Sequence, residues 1–357
     1  MTERELFALT MAHKPHGKIM YDANFIESCE EKCVRELGLA KGTNIREHFG
    51  CYFHHDCYPI QAMNGDPGFQ FDFMKYYKDI DIKPGSRLDG NGVLHEPGSL
   101  FHFTHMVSPL RHAQSLEEIL SIPVLDICPG SFEKMKAEVD ALHAQGFIAQ
   151  IWTGPIFETA WQLRDITCFF SDMVDHPDWC IALLHKISRR NVRLAEMAAL
   201  AGVDMVMTSD DLADQRSLMM GPKFYREMIK PFHKEVCQAA RKVNPNVAIW
   251  YHSDGNIEEI IPDLVENGVT ILNPLQPECV DTERVRKEYG DVLVFDGLIG
   301  TQTTMPFDTP QGVRDRVRRV KDQFGQNGGL ILSPTHALEP EVPTANVVAF
   351  FEACQEE

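Results

Sequence analysis

From about residue 147 onward, short apolar runs alternate with longer amphipathic stretches. The runs are "FIAQIWT" (147–153), "VDMVMTS" (203–209), "VAIWYHS" (247–253), "VTILNPL" (269–275), "VLVFDG" (292–297) and "GLILSP" (329–334). Each is nearly continuous in apolar residues, as expected of parallel strands covered on both faces. Between them the spacing of apolar positions predicts helices over 178–201, 222–243, 256–267, 281–289 and 310–325. Boundary residues agree with that reading. Thr309 is an N-cap followed by Pro310 at the first helical position, and Asp281 opens a stretch that closes on Gly290. Strand–helix repetition on this scale defines an α/β fold with parallel strands.

The first 145 residues are less regular. Thr2 and Glu5 have the spacing of a capping box, so a helix is expected at the start. "GKIMYDANF" is the candidate first strand, and "GCYFHHDC" (50–57) the candidate second. Turn-rich sequence over about 64–110, with "NGDPG", "KPGSRLDGNG" and "HEPGS", predicts hairpins and loops inserted before a helix at 131–145.

Two parallel architectures compete, and the polar residues separate them. A dinucleotide fold needs a glycine fingerprint after its first strand, and no G-x-G-x-x-G occurs. Instead, polar groups follow almost every predicted strand: Glu158, then Asp210 and Asp211, His252 and Asp254, Asn273 and Gln276, Asp296, and His336. A TIM (β/α)8 barrel brings all such positions to its carboxyl-terminal rim, whereas an open sheet concentrates function at one switch point. The expectation is therefore one barrel domain over 1–357, irregular over 1–145 and regular over 146–357.

Composition narrows the functional classes. The formal charge of −18, from 52 acidic against 34 basic residues, disfavours nucleic acid and anionic membranes as partners. The amino-terminal segment reads as a helix start rather than a signal peptide, and no apolar run is long enough to span a bilayer. Ten cysteines lie scattered without zinc-knuckle or redox spacing, so reduced thiols and a cytoplasmic location are expected. No G-x-S-x-G elbow, P-loop or H-E-x-x-H helix occurs.

His252 and His336 are the leading candidates for chemistry, since each follows a core strand and the barrel gathers both on one rim. Asp254 lies two residues from His252 and shares its face in an extended chain. With Glu158 these residues make a plausible set of nitrogen and oxygen ligands for zinc. The bland alternative is a hydrogen-bonded His252–Asp254 pair, with Asp254-Gly255 as turn chemistry ahead of a helix. Asp210 and Asp211 are either a solvated capping turn or contacts to substrate, with Arg216 a candidate partner. Asn273, Gln276, Tyr251 and Trp152 are candidate substrate contacts. His54-His55, near Cys57, matches no standard ligand spacing.

The stretches "SDDLADQRSLMMGPKFYREMIKPFHKEV", "WYHSDGNIEEIIPDLVENGVTILNPLQPECVD", "GLIGTQTTMPFDTPQGVRDRV" and "GLILSPTHALEPEVPTANVVAFFEA" resemble the uroporphyrinogen decarboxylase superfamily, which also contains corrinoid-dependent methyltransferases. The resemblance covers 130–352 well and implies a TIM barrel. True decarboxylases of the family carry an arginine-rich R-Q-A-G-R motif near the amino terminus; "HKPHGKIMYDANFIESC" has no counterpart. An acidic chain without those arginines is poorly equipped for an octacarboxylate, because each desolvated carboxylate needs a cationic or hydrogen-bonding partner.

The methyltransferase branch is closer, with one departure. Its thiol-methylating members hold zinc with a His-x-Cys pair and a later cysteine; here the positions read His252-Ser253-Asp254 and "SPTHAL", with His336 in place of sulfur. Exchanging thiolate for imidazole and carboxylate leaves zinc a stronger Lewis acid, suited to polarising an ether or phenolic oxygen. The resemblance thus implies a zinc-assisted methyltransferase that demethylates a small methoxylated or otherwise methylated compound. The corrinoid acceptor would arrive on a separate protein, docking over the rim and the 64–110 insertion. Two alternatives stand beside it. One is a metal-free decarboxylase of a smaller acid, using Asp210 or Asp211 with His336; the other is a non-catalytic ligand-binding barrel.

Overall fold

The computed structural model describes residues 1–53, 55–98 and 104–356. Seven parallel strands form one curved sheet: β1 (Met20–Tyr21), β2 (Gln150–Pro155), β3 (Met205–Ser209), β4 (Ala248–His252), β5 (Ile271–Leu275), β6 (Val294–Ile299) and β7 (Leu330–Pro334). Their spatial order runs β1-β7-β6-β5-β4-β3-β2. The eighth place is taken by residues 52–53 and 55–57. The Tyr52 N–H bonds the Tyr21 carbonyl at 3.1 Å, the Gln150 N–H bonds the His55 carbonyl at 3.1 Å, and the Cys57 N–H returns to the Gln150 carbonyl at 2.8 Å. The chain is a TIM barrel, and the expected second strand is this closing segment. His54 of the candidate His54-His55 pair lies outside the described residues.

Strand alternation sorts the side chains into layers. At the base Met20, Ile148, Met205, Ala248, Ile271, Val294 and Ile331 form a dry apolar floor. The first helix, α1 (Glu3–Met11), seals that floor from below with Leu6 and Phe7. Its expected capping box is present: Thr2 accepts from the Glu5 N–H at 3.2 Å, and Glu5 accepts from the Thr2 N–H at 2.8 Å. One layer higher, the inward positions turn polar, with Asp22, Gln150, Asn273, Asp296 and Ser333 joined by Met207 and Trp250. Polar groups that need solvent or ligands cannot close on one another as aliphatic chains do. The barrel therefore stays open above its floor.

Outer helices follow the expected boundaries, with two exceptions caused by proline. The stretch predicted as one helix over 222–243 has a widened turn at Tyr225–Ile229 before α4 (Lys230–Val243). Pro231 has no N–H for the regular ladder, and its ring displaces the preceding turn. Likewise Pro262 sits in the first turn of Ile261–Asn267, which is shorter than the predicted 256–267. The helices α2 (Phe157–Arg164) and α3 (Pro177–Ala201) flank the β2 side of the barrel. Within the 64–110 insertion, Arg87–Leu88, Leu94–Pro97 and Thr104–Val107 form an antiparallel sheet of three strands. No helix among the described residues is long and apolar enough to cross a membrane.

Candidate active site

The open end of the barrel holds a cavity of about 390 Å³, walled by Trp152, Trp250, Met207 and Phe53 and rimmed by His252 and His336. β4 shows how the wall is built. Trp250 and His252, two residues apart, face inward with rings nearly parallel at 11° and 5.7 Å between centroids. Tyr251, between them, must point the other way. It is buried against His233 of α4, its hydroxyl without a hydrogen-bond partner among the described residues. The aromatic wall on this strand is therefore Trp250, and Tyr251, expected to stack on substrate, lies behind the wall.

A hydrogen-bonded chain orients His252. Its Nδ1 lies 2.7 Å from Asn273 Oδ1, an acceptor that calls for the proton on Nδ1, and Nε2 faces the rim. The amide of Asn273 in turn bonds Asp296, which also accepts from Trp250 Nε1 at 2.8 Å and Ser333 Oγ at 2.7 Å. Burial raises the pKa of Asp296, against these hydrogen bonds, which lower it.

At Nε2 two carboxylates converge. Asp211 Oδ1 lies 3.7 Å away and Asp254 Oδ2 3.9 Å away. These three ligand atoms lie within 4.8 Å of one another, the one such group found among the described residues. Asp211 also accepts the Asp254 N–H at 2.8 Å, tying β3's loop to β4's. Asp254 Oδ1 is buried with no hydrogen-bond partner among the described residues. Burial raises the Asp254 pKa, with His252 opposing and Asp211 adding to the shift. Glu158 is pushed up to about 8, first by burial and then by Asp210 and Asp211. Crowded carboxyls with an orphaned buried oxygen and one imidazole have the composition of a nitrogen–oxygen cation site. The residues present thus fit a zinc-class ion.

The other expected residues divide by depth. Trp152 is 46% exposed and lines the cavity, its indole N–H held by Ser209 Oγ at 3.1 Å. His336 stands exposed on the facing lip, its Nδ1 3.2 Å from the Ala337 carbonyl. It lies outside the three-residue group, yet its charge acts on Asp254. Glu158 supports the group from behind, accepting the Asp211 N–H at 3.3 Å.

Asp210 and Gln276 do not line the cavity. Asp210 is wholly buried and accepts from the N–H groups of Ile156, Phe157 and Glu158 at 2.9–3.2 Å, capping α2 from the neighbouring strand. Its Oδ2 also pairs with His233 Nε2 at 2.6 Å. Gln276 accepts the Gly255 N–H at 3.0 Å and so positions the Asp254-Gly255 turn. A side chain at Gly255, φ +87, would strike the carbonyls of Asp214 and Ala213, so only glycine fits that turn.

Sequence reasoning placed Asp296 on the rim, and it does line the cavity, but it missed Trp250, Asp22 and Arg46 as cavity residues. For Trp250 the signal was available in its two-residue spacing from His252. Arg46 carried none: a short helix, Ile45–His48, delivers it to Asp22, whose two oxygens it bonds at 2.7–2.8 Å.

An eight-fold α/β barrel with a floored cavity and a cluster of ionisable groups at its carboxyl rim is the architecture of a TIM-barrel enzyme. The chain belongs to the uroporphyrinogen decarboxylase (URO-D) family, whose model matches residues 107–357. It is 23% identical over 294 residues to a uroporphyrinogen decarboxylase of Nostoc punctiforme, covering 81% of this chain and 79% of that protein. It is 21% identical over 254 residues to that of Coxiella burnetii, covering 70% and 68%. A solved structure described as a methyltransferase from Methanosarcina mazei shares the fold, with a TM-score of 0.63 at 13% identity over 99% of this chain and 98% of that one.

Proposed function

We propose that this protein is a corrinoid-dependent methyltransferase that removes a methyl group from a small methoxylated compound, with His252, Asp211 and Asp254 holding a zinc-class ion. The observation that carries this reading is the convergence of those three ligand atoms beside an aromatic-walled cavity. When bound, such an ion supplies Lewis acidity to a substrate oxygen, and a corrinoid on a separate protein supplies the methyl acceptor.

The chain's own residues do the rest. Asn273 holds His252 in the tautomer that leaves Nε2 unprotonated. Trp152 and Trp250 offer flat faces for an aromatic or similarly apolar substrate and keep water from its sides. His336, on the opposite lip, stands where it can donate a hydrogen bond to an oxygen in the cavity. Asp296 fixes Trp250 and Asn273 together, so the stacking wall and the ligand orientation are set by one buried carboxyl.

Likeness to uroporphyrinogen decarboxylases favours a second reading, decarboxylation of a small acid. Arg46, the one arginine lining the cavity among the described residues, is already paired with Asp22, so it offers no uncompensated guanidinium to an octacarboxylate. The test is incubation with cob(I)alamin and methoxylated aromatics, following methylcobalamin by absorbance. Methylation only of a thiol, or carbon dioxide release without corrinoid, would overturn the proposal. Asn273→Ala is expected to weaken zinc affinity by about 10–100-fold, measured by chelator competition, since it frees the imidazole to rotate and change tautomer.

A further inference from the structure

Behind Trp152 lies a second chamber of about 550 Å³, between β2, α2 and α3. It shares Trp152 with the barrel cavity but is otherwise a separate space, with Gln61 and Asn91 also in its lining. One feature distinguishes it. Arg190 of α3 lines it, and no carboxylate pairs with that guanidinium among the described residues.

The side chain is firmly held. Its Nε and Nη2 donate to Asn191 Oδ1 at 3.0 and 2.8 Å, and Nη2 also donates to the Thr153 carbonyl. Asn191 is itself anchored to the Gly154 carbonyl at 2.9 Å. Nη1 has no partner among the described residues. Two acids bear on the chamber, Asp126 through its charge on Arg190 and Glu158 as part of the lining, and each has a partner of its own. Asp126, whose charge acts on Arg190, is gripped by Arg193 at 2.7 and 2.8 Å. Glu158 Oε2 accepts the Asp211 N–H. Burial pushes the Arg190 pKa down, as expected for a guanidinium lacking a counter-charge.

Clamping two neutral oxygens requires donors but no charge. A part-buried cation with a free N–H, at the wall of a chamber, is matched by an anion. One guanidinium compensates one charge, which selects a carboxylate over a phosphate dianion. Ile187, Leu194 and Pro155 with the edge of Trp152 provide the apolar side, and Tyr58 and Gln162 the hydrogen-bonding side. We infer that this chamber binds a small organic monocarboxylate, with Arg190 as its anchor.

The test is calorimetric titration with benzoate and butyrate, and with inorganic phosphate as comparison. Wild type should bind a carboxylate, and Arg190→Gln should weaken binding by about tenfold or more, the range for a charged hydrogen bond. Gln162→Trp, which fills the chamber and leaves Arg190 and its partners in place, should weaken it as much. This second variant keeps the test decisive if Arg190→Gln does not fold, as its melting curve would show. Wild-type affinity in Gln162→Trp, binding of phosphate in preference to both acids, or no carboxylate binding at millimolar concentration would each overturn the inference.

Discussion

His252→Ala is expected to remove bound zinc and to lower methyl transfer by at least about 10³-fold. A metal Lewis acid contributes several kcal/mol to charge development on a leaving oxygen, and each 1.36 kcal/mol is a factor of about ten in rate. The variant deletes the one nitrogen of the ligand group and leaves Asp211 and Asp254 facing each other across the gap. Two carboxylates so placed share a proton more readily than they hold a cation alone. Metal content by plasma emission spectroscopy and the rate with cob(I)alamin are the two readings, with melting temperature as a check on folding. Full zinc and full turnover in the variant would dismiss the ligand group. Zinc retained with turnover lost would move His252 from ligand to a direct role on substrate.

Asp210→Ala carries the second large effect, on stability rather than chemistry. The carboxylate is fully buried, takes the first N–H groups of α2, and pairs with His233. Its removal leaves those donors and a buried imidazole without their acceptor, at a cost of about 3–5 kcal/mol. A lower urea midpoint with unchanged slope is the expected result. Replacing His233 by Phe in the same chain should recover part of the loss, because the stranded imidazole goes with it. An unchanged midpoint combined with lost turnover would instead return Asp210 to the catalytic role its sequence position suggested.

Trp250, Tyr251 and His252 show how much of the site was legible. The apolar run and the polar residues after it marked β4 and its rim position, and period-two alternation already dictated that only one of the adjacent aromatics could share the face of His252. What alternation does not state is which set faces inward; that depends on the register with β3 and β5 and on what stands behind the strand. His233 supplies that answer by occupying the outer face beside Tyr251. The Asp210-Asp211 pair is a second case. Two identical side chains in adjacent positions point to opposite sides, so one caps α2 in the protein's interior and the other meets His252. Residue type cannot distinguish them.

By itself, the sequence determined the parallel strand–helix architecture, the positions of most barrel strands and the gathering of polar residues on one rim. Those features depend on local patterns: apolar runs, helix caps, and the turn from strand to helix. Tertiary structure alone decided that Asp211 rather than Asp210 joins His252 and Asp254, that Asp22 pairs with Arg46, and that Arg190 has no carboxylate partner among the described residues. Each of these is a pairing between groups far apart in the chain or an outcome of side-chain direction. Electrostatic partners and burial depend on distances in space, which hydrophobic periodicity does not encode.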